Sequence, residues 1–278
     1  MTPILLFRSD ESTAEERAHA GQASLPVVSY RSRIPPNSLV IGRYSVLPFY
    51  EELEAELALQ GSRLINTSTE HQWIADATAW AAPGALLSDM TPRAFTAWYD
   101  LPEGAYIVKG RTNSRKHQWA THMFAPTHAD VPKVAERLLD DPMIREQGLV
   151  VRPYVSLRKL GEGVNGLPIV NEFRTFWLRS RPENHVVYLG AGFYWKMSHP
   201  ELADQARFGM DGLHCAERAA GRIARHGAAF FSVDVAQTAA GPWIVIEVND
   251  GQMSGLCGVD PVWFYRRLAR EAHVLVSA

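Results

Sequence analysis

Residues 230–249, FFSVDVAQTAAGPWIVIEVN, constrain the fold of this chain more than any other stretch. Two runs of alternating β-branched and aromatic residues flank a short Ala-Ala-Gly-Pro break, a pattern that predicts a β-hairpin. If the turn is centred between Ala240 and Gly241, Asp234 and Glu247 lie equally far from it and face each other across the two strands. Asn249 follows Glu247 by two residues and shares its face, because side chains alternate along a strand.

This cluster of three oxygen-bearing side chains predicts a metal site. Two facing carboxylates repel each other, and magnesium takes carboxylate and amide oxygens as ligands. Asp234, Glu247 and Asn249 are therefore candidate magnesium ligands. The alternative is a solvated hairpin face that carries incidental acids. The opposite face is predicted to pack into the core, and it consists of Phe231, Val233 and Val235 against Ile244, Ile246 and Val248.

Composition argues against several classes of protein. The chain has 278 residues, so one large domain or two modest ones is expected. With 28 basic and 30 acidic residues, it is not expected to bind nucleic acid or membrane surfaces in general. Its two cysteines lack a CxxC spacing, which fits a reducing compartment and gives no zinc site. The N-terminal apolar run is too short for a signal peptide, and no run approaches the roughly 18 apolar residues of a membrane span. A soluble cytoplasmic protein is expected.

Residues 1–87 are predicted to form a small α/β unit. A short strand is followed by a helix at residues 48–60, which has an apolar stripe and a glycine after its end. A second helix at residues 71–80 places Trp73 and Trp80 on one face, a spacing that is typical of core packing.

A further helix is predicted to start at Thr91 and Pro92, in the second part of the chain, residues 88–278. Threonine is a common N-cap, and proline fits the first helical position. Phe95 and Trp98 would form the buried face of this helix.

A polar and basic loop, residues 110–117, follows a predicted strand that ends in Lys109. It contains Lys116. Small and basic residues after a strand suit a phosphate cover, because backbone amides and cations would face the anion. The alternative is a solvated basic turn.

Two later strands carry further candidates. One, at residues 149–151, runs into Arg152-Pro153-Tyr154. The other, residues 171–178, places Glu172 and Arg174 on one face. Arg174 is either part of a structural ion pair or a fixed cation aimed at phosphate, to which its rigid fork is suited.

Taken in order, these signals resemble the ATP-grasp fold over residues 88–278. The terminal metal motif of that family is matched by Asp234 together with Glu247-Val248-Asn249. The resemblance implies an α+β protein in which two α+β lobes hold ATP between them, with residues 1–87 as a small N-terminal α/β unit.

More narrowly, the chain is similar to the arginine-arginine-lysine clade of ATP-grasp proteins. That clade includes the eukaryotic cell-division-cycle-123 factors, which help to assemble a translation-initiation complex, and many bacterial and phage relatives. The lysine of the clade matches Lys109, its arginine after the hinge strand matches Arg152, and its Glu-Phe-Arg strand matches Glu172, Phe173 and Arg174.

The resemblance implies an ATP- and magnesium-dependent carboxylate–amine ligase that works through an acylphosphate. Lys109 and Arg174 would be catalytic, with Arg174 offsetting charge on the transferred group. Asp234, Glu247 and Asn249 would bind magnesium. The implied ATP-binding residues are Lys109, Lys116, Val151, Arg152, Tyr154, Glu172, Arg174 and Asp234, with backbone at residues 150–154 against adenine.

Two other functions remain open. The protein could be an ATP-binding assembly factor or protein-modifying protein, like the eukaryotic relatives, with Trp73 and Trp80 against a client; it could also transfer phosphate to a hydroxyl. The basic residues near the site suggest an acidic substrate unless ATP occupies them. The carboxylate and amine partners, a small molecule, a peptide or a protein, are left open, as is the oligomeric state. Those basic residues are Arg111, Arg115, Arg174 and Lys196.

Overall fold

A computed structural model describes residues 1–180 and 185–277 of the chain. The N-terminal part is a parallel sheet with strand order β2-β1-β3-β4. Its strands are β1 (Thr2–Leu6), β2 (Val27–Val28), β3 (Ser38–Gly42) and β4 (Arg63–Leu64). Its helices are α1 (Ala14–Ala20), α2 (Tyr50–Ala58), α3 (Ser68–Ala75) and α4 (Ala77–Ala81).

The middle lobe is an antiparallel sheet with order β6-β5-β7. Its core is covered by an amphipathic helix that buries residues three and four apart on one face. The strands are β5 (Tyr106–Gly110), β6 (Phe124–Ala125) and β7 (Leu149–Pro153). The helices are α5 (Trp119–His122), α6 (Val131–Leu139) and α7 (Pro142–Gln147).

The last lobe is an antiparallel sheet with order β11-β10-β12-β13, preceded by a separate two-stranded ribbon. The ribbon is β8 (Lys159–Glu162) and β9 (Pro168–Val170). The sheet strands are β10 (Glu172–Arg179), β11 (Val186–Phe193), β12 (Phe230–Gln237) and β13 (Trp243–Asp250). Helices α8 (Met210–Arg225) and α9 (Pro261–Ser277) complete the lobe. Together these elements form the predicted α+β architecture.

Two polar side chains fix the N-terminal sheet to the last lobe. Asn66, just after β4, accepts hydrogen bonds of 3.0 Å from the backbone N–H groups of Ala229 and Phe230. Arg43, just after β3, is buried and donates to Glu16 on α1 and to the carbonyl of Ser254. These bonds hold the N-terminal sheet against the strand end that carries the candidate site.

The predicted helix at residues 71–80 is two helices, α3 and α4, separated at Asp76. Trp80 lies in the core, as its spacing indicates. Trp73 is half-buried and stacks on His226 at 4.5 Å between ring centroids. Neither indole offers the exposed aromatic surface that a client-binding role for these residues would need.

The predicted helix at Thr91 is wrong. The segment is extended: Phe95 pairs with Val151 of β7 through two backbone hydrogen bonds of 2.9 and 2.8 Å. The Thr91 hydroxyl donates to the carbonyl of Val245 at 2.7 Å instead of capping a helix. Pairing with two strand edges satisfies the backbone here, and this tertiary context overrides the local capping signal.

No helix within residues 1–180 and 185–277 has the length and apolar character needed to cross a membrane.

Candidate active site

A cleft of about 890 Å³ lies between the middle lobe and the last lobe. Apolar side chains form most of its wall, including those of Ile107, Met123, Ile244 and Ile246. Its charged lining residues are Lys109, Lys116, Arg152, Glu172 and Glu247, all predicted from the sequence. An apolar cleft with a few converging charges is the usual form of a small-molecule site.

The core of the site is a row of charged residues across three neighbouring strands. Arg174 on β10 faces Asp234 on β12, and Asp234 faces Glu247 on β13. The predicted Asp234–Glu247 pairing is therefore confirmed. Arg174 donates two hydrogen bonds to the Asp234 carboxylate, at 2.8 and 2.7 Å, and both residues are buried. Arg174 does form a structural ion pair, which was one of the two interpretations of the sequence. Its partner is Asp234, however, and not Glu172, which is nearer in the sequence.

Lys109 completes this row from the middle lobe. Its ammonium group donates to Glu247 Oε1 across the cleft. Burial would raise the pKa of Glu247, but the charges of Lys109 and Lys116 outweigh it and hold the pKa well below its usual range. Glu247 is thus an anion, as a carboxylate must be to bind a metal ion.

A β-bulge at Ile246 sets the faces of β13. The ladder pairs Asp234 with Glu247 but Val235 with Val245, so Ile246 is an extra residue in the strand. Val245 and Val248 pack into the core, whereas Ile244 and Ile246 line the cleft. The prediction that Ile244 and Ile246 belong to the core face is therefore wrong, because the bulge reverses the alternation on the turn side of Glu247.

Lys116 reaches the site from the basic loop. Its ammonium donates to the hydroxyl of Tyr194 at 2.8 Å and lies 4.1 Å from the centre of that ring. The centre of the Trp195 ring lies 5.2 Å from the same ammonium group. Burial raises the pKa of the Tyr194 hydroxyl to about 12, so it remains a neutral partner. Tyr194 and Trp195 are not among the site residues predicted from the sequence; the run of aromatic residues at the end of β11 was the available signal.

Glu172 is buried at the start of β10, and its Oε1 atom has no hydrogen-bond partner among the described residues. Burial raises its pKa to about 7, against the opposing charge of Lys116. Near neutral pH it therefore exchanges between a donor and an acceptor form.

Arg152 binds protein acceptors with all three of its nitrogen atoms. Nε donates to the Pro92 carbonyl at 3.0 Å, Nη1 to the Ile246 carbonyl at 2.8 Å, and Nη2 to the Thr91 hydroxyl. Burial lowers its pKa to about 10. Arg152 thus joins β7, the extended segment and the bulge, while its side chain still lines the cleft.

Val151 and Tyr154, both predicted to bind ATP, differ in position. Tyr154 lines the cleft and contacts Phe124 edge-on at 5.1 Å. Val151 does not line it: its side chain lies in the core of the middle lobe, and its backbone N–H and C=O are both bonded to Phe95. The prediction that Val151 binds ATP is therefore not supported, because neither its side chain nor its backbone faces the cleft.

The oxygen set Asp234, Glu247 and Asn249 suits a hard divalent cation by its chemistry. The buried side-chain nitrogen of Asn249 has no hydrogen-bond partner in the described part of the chain. The oxygen and nitrogen of a side-chain amide are told apart by their hydrogen-bond partners. The Asn249 amide can therefore turn its oxygen towards a cation without breaking a hydrogen bond of its nitrogen. Within residues 1–180 and 185–277, no three His, Cys, Asp or Glu side chains converge, so the amide would be needed as the third ligand.

A second cavity, of about 1950 Å³, begins where the row of charges ends. Arg174 and Asn249 lie in its wall, together with residues from loops and helix α3 of the N-terminal part and from the middle lobe. Exposed apolar side chains of Leu47 and Met143 form part of its lining. The candidate metal ligands therefore lie between two cavities.

Most of the basic residues proposed to attract an acidic substrate are occupied within the protein. Arg111 pairs with Asp76, Arg115 with Asp141, and Arg174 with Asp234. Only Lys196 of that set has no ion-pair partner among the described residues, and it is exposed. These cations therefore do not favour an acidic substrate.

The sequence model of the ATP-grasp domain, family 3 of the arginine-arginine-lysine clade, matches residues 98–268 of the chain. This range contains every candidate site residue. No curated protein is matched by sequence.

Several solved structures share the fold. The chain is similar to D-cycloserine synthetase DcsG, with 14% identity, a TM-score of 0.62, and coverage of 98% of this chain and 99% of that one. It is similar to the ATP-grasp ligase PsnB in complex with a phosphomimetic variant of its minimal precursor, Mg and ADP, with 13% identity, a TM-score of 0.56, and 98% and 99% coverage. It is also similar to N5-carboxyaminoimidazole synthetase from Staphylococcus aureus in complex with ADP, with 12% identity, a TM-score of 0.54, and 96% and 76% coverage. At these identities the likeness is one of fold.

Proposed function

The chain belongs to family 3 of the arginine-arginine-lysine clade of ATP-grasp domains, and we propose that this ATP-grasp ligase joins a carboxylate to an amine through an acylphosphate. ATP and magnesium are the typical cofactors of the family. The single observation that carries the proposal is the row Lys109, Glu247, Asp234 and Arg174, which lies between the apolar cleft and the second cavity.

In this proposal the cleft holds ATP. Its apolar wall receives the base, and Lys109 and Lys116 bind phosphate oxygens at the charged end. Asp234, Glu247 and Asn249 hold magnesium, which would neutralise charge on the phosphates. Arg152 fixes the hinge strand and the bulge, so it positions the cleft wall through three protein contacts.

The reacting carboxylate enters from the second cavity. Its oxygen attacks the γ-phosphoryl group, ADP leaves, and the carboxylate becomes an acylphosphate. An amine then attacks the acyl carbon and releases phosphate, which gives an amide. Arg174, which lines this cavity, offsets the charge on the transferred group; most of the catalysis is positioning and charge neutralisation.

A peptide or protein acceptor is favoured over a free amino acid. The second cavity is large and has exposed apolar residues in its wall. Among the similar structures, PsnB is described with a precursor peptide. Both observations support a substrate that extends beyond the reacting group.

The test uses hydroxylamine as a general amine. The purified full-length chain is incubated with ATP, Mg²⁺, hydroxylamine and a panel of carboxylates that includes the amino acids and short peptides, and ADP and hydroxamate are measured. Asp234→Asn and Glu247→Gln are expected to abolish turnover, since each removes the charge of one candidate metal ligand.

The matched control is Glu103→Gln, which removes an exposed carboxylate outside the site. It should retain wild-type turnover. Turnover that survives Asp234→Asn and Glu247→Gln would contradict the assignment of these residues to the active site. A phosphomonoester product without hydroxamate would show that the protein is a kinase and not a ligase.

A further inference from the structure

His71 on α3 lies in the wall of the second cavity, which Arg174 and Asn249 also line. It is the only histidine among the described residues that lines this cavity. Its side chain therefore belongs to the space from which the second substrate would reach the row of charges, although it comes from the N-terminal part of the chain.

The His71 ring is held in one orientation. Nδ1 lies 3.2 Å from Oδ2 of Asp250, and the ring stacks on Tyr50 with 5.0 Å between centroids and an interplanar angle of 24°. The residue is 7% exposed. Such a His–carboxylate contact fixes both the ring position and the tautomer.

Asp250 is itself fixed by neighbouring donors. Its Oδ1 accepts from the Asn66 amide at 2.8 Å and from the backbone N–H of Gln252 at 2.9 Å. Its Oδ2 accepts from the side-chain nitrogen of Gln252 at 3.4 Å in addition to facing His71. Because each of these partners is a donor, the hydrogen in the His71–Asp250 contact must be on Nδ1. Nε2 then keeps its lone pair, and no described residue donates to it.

We propose that His71 is the general base that removes a proton from the attacking amine in the second cavity, with Asp250 as its positioning residue. The proposal rests on the proposed ligase function and assigns a role to the N-terminal part of the chain. An amine that is protonated at neutral pH cannot attack an acylphosphate until it has lost a proton. A positioned imidazole supplies that step at neutral pH.

In this step Nε2 of His71 first takes one proton from the ammonium group, which frees the lone pair of the nitrogen. The nitrogen then forms a bond to the acyl carbon, and the bond from that carbon to the phosphate oxygen breaks. Phosphate leaves with the electron pair and takes up the second proton that the nitrogen loses as the amide forms. The resulting imidazolium faces the carboxylate of Asp250, which stabilises its charge.

Other groups around the ring leave this role to His71. Burial raises the pKa of Tyr50, which stays a neutral donor. The charged residues that line the cavity around it are Glu146 on α7, Arg174 on β10 and Asp250 on β13. Arg174 is a cation bound to Asp234, and Asp250 accepts from several donors, so neither takes the proton. Glu146 is an exposed carboxylate and is not one of the residues that hold the His71 ring.

The first test needs no substrate. Imidazole ¹⁵N chemical shifts are measured on the full-length protein with the imidazole in its neutral form, and the His71 signals are assigned by their loss in His71→Gln. The proposal expects a protonated Nδ1 and an unprotonated Nε2, with loss of that preference in Asp250→Asn. A protonated Nε2 in the neutral ring would overturn it, whatever the substrates of the enzyme are.

The second test separates a base from a structural residue. With the carboxylate that gives most hydroxamate, rates are compared for hydroxylamine, which is unprotonated at neutral pH, and for methylamine and glycine, which are protonated. His71→Gln should lower the rate with methylamine or glycine by roughly 100-fold more than it lowers the rate of hydroxamate formation, because hydroxylamine arrives without the proton that His71 removes. The control His128→Gln, an exposed histidine, should change neither rate.

Equal losses with both kinds of amine, or no loss with either, would overturn the role of His71 while leaving the ligase function intact. Failure of the wild-type chain to form ADP and hydroxamate with any carboxylate would instead contradict the proposed function. The two failures are thus distinguishable.

Discussion

Arg174 and Asp234 face each other on β10 and β12 and are joined by two parallel hydrogen bonds of 2.8 and 2.7 Å. Burial would lower the pKa of Arg174, but Asp234 outweighs it and raises the pKa well above its usual value. The pair is therefore ionic, and the same carboxylate is both the partner of Arg174 and a candidate magnesium ligand.

Replacement of Arg174 by methionine should lower the free energy of unfolding by about 3–5 kcal/mol, because it leaves Asp234 as an uncompensated buried charge. Urea denaturation measures this. The double variant Arg174→Met/Asp234→Leu should recover much of the loss, since it removes both charges. Lys159→Met breaks the exposed Lys159–Glu162 pair and is the control, expected to match wild type. A double variant no more stable than Arg174→Met would contradict this account.

Arg152→Lys should destabilise the protein by about 2–3 kcal/mol, because hydrogen bonds from charged groups each contribute about 1.5–3 kcal/mol and lysine cannot reach all three acceptors. The acceptors lie on Thr91, Pro92 and Ile246. Denaturant unfolding gives the magnitude, and protection of the residue 91–98 segment from hydrogen exchange should fall with it. Unchanged protection there would show that Arg152 does not hold that segment.

Glu172 should make the protein less stable as the pH rises from about 4.5 to 7. Its pKa is raised from 4.5 to about 7 by burial, so in this range the folded state holds a proton that the unfolded state has lost. The stabilisation is fully present below pH 4.5 and is lost towards pH 7, and a shift of this size corresponds to about 3 kcal/mol. Urea unfolding across this range, compared with Glu172→Gln, isolates the effect. A constant difference between the two proteins would contradict it.

Deletion of Ile246 should keep the fold and weaken nucleotide binding. Without the bulge, the Asp234–Glu247 and Val235–Val245 pairs follow each other in a regular ladder. The cleft loses an apolar side chain, and Arg152 loses a carbonyl acceptor. We expect the affinity for MgATP to fall about tenfold, as burial of one such side chain supports. Calorimetry measures this, with Ile246→Val as the conservative control. An affinity for MgATP equal to that of the wild type after the deletion would show that Ile246 does not contribute to nucleotide binding.

Local pattern was sufficient for much of the site. The alternation in residues 230–249 predicted the hairpin and the Asp234–Glu247 pairing, and the end of β5 at Lys109 and Gly110 follows the predicted strand closely. The roles of these residues as ligands and catalysts stay predictions. The boundary between residues 1–87 and 88–278 also stays a prediction; Ile74, Trp80 and Leu87 pack in the same core as strands of the last lobe.

Two predictions, the helix at Thr91 and the core position of Ile246, are wrong for the same reason: contacts between residues distant in sequence decide the local structure. Thr91 and Pro92 carry a helix-start signal, yet backbone pairing of Phe95 with Val151 wins, since a buried segment must satisfy its N–H and C=O groups wherever partners exist. The carbonyl of Ile246, at the bulge, likewise accepts a hydrogen bond from Arg152, which is distant in sequence.

The sequence by itself determined the periodicity of the strands and helices and the chemical types along them, because these depend on neighbours within a few residues. It therefore specified an oxygen-rich hairpin and the basic residues that would meet it. Tertiary structure alone decided that Arg174 pairs with Asp234 rather than Glu172, and that His71 meets Asp250 beside a cavity. Those contacts join strands and lobes far apart in the chain, and a side chain can select among such partners only after the backbone has brought them together.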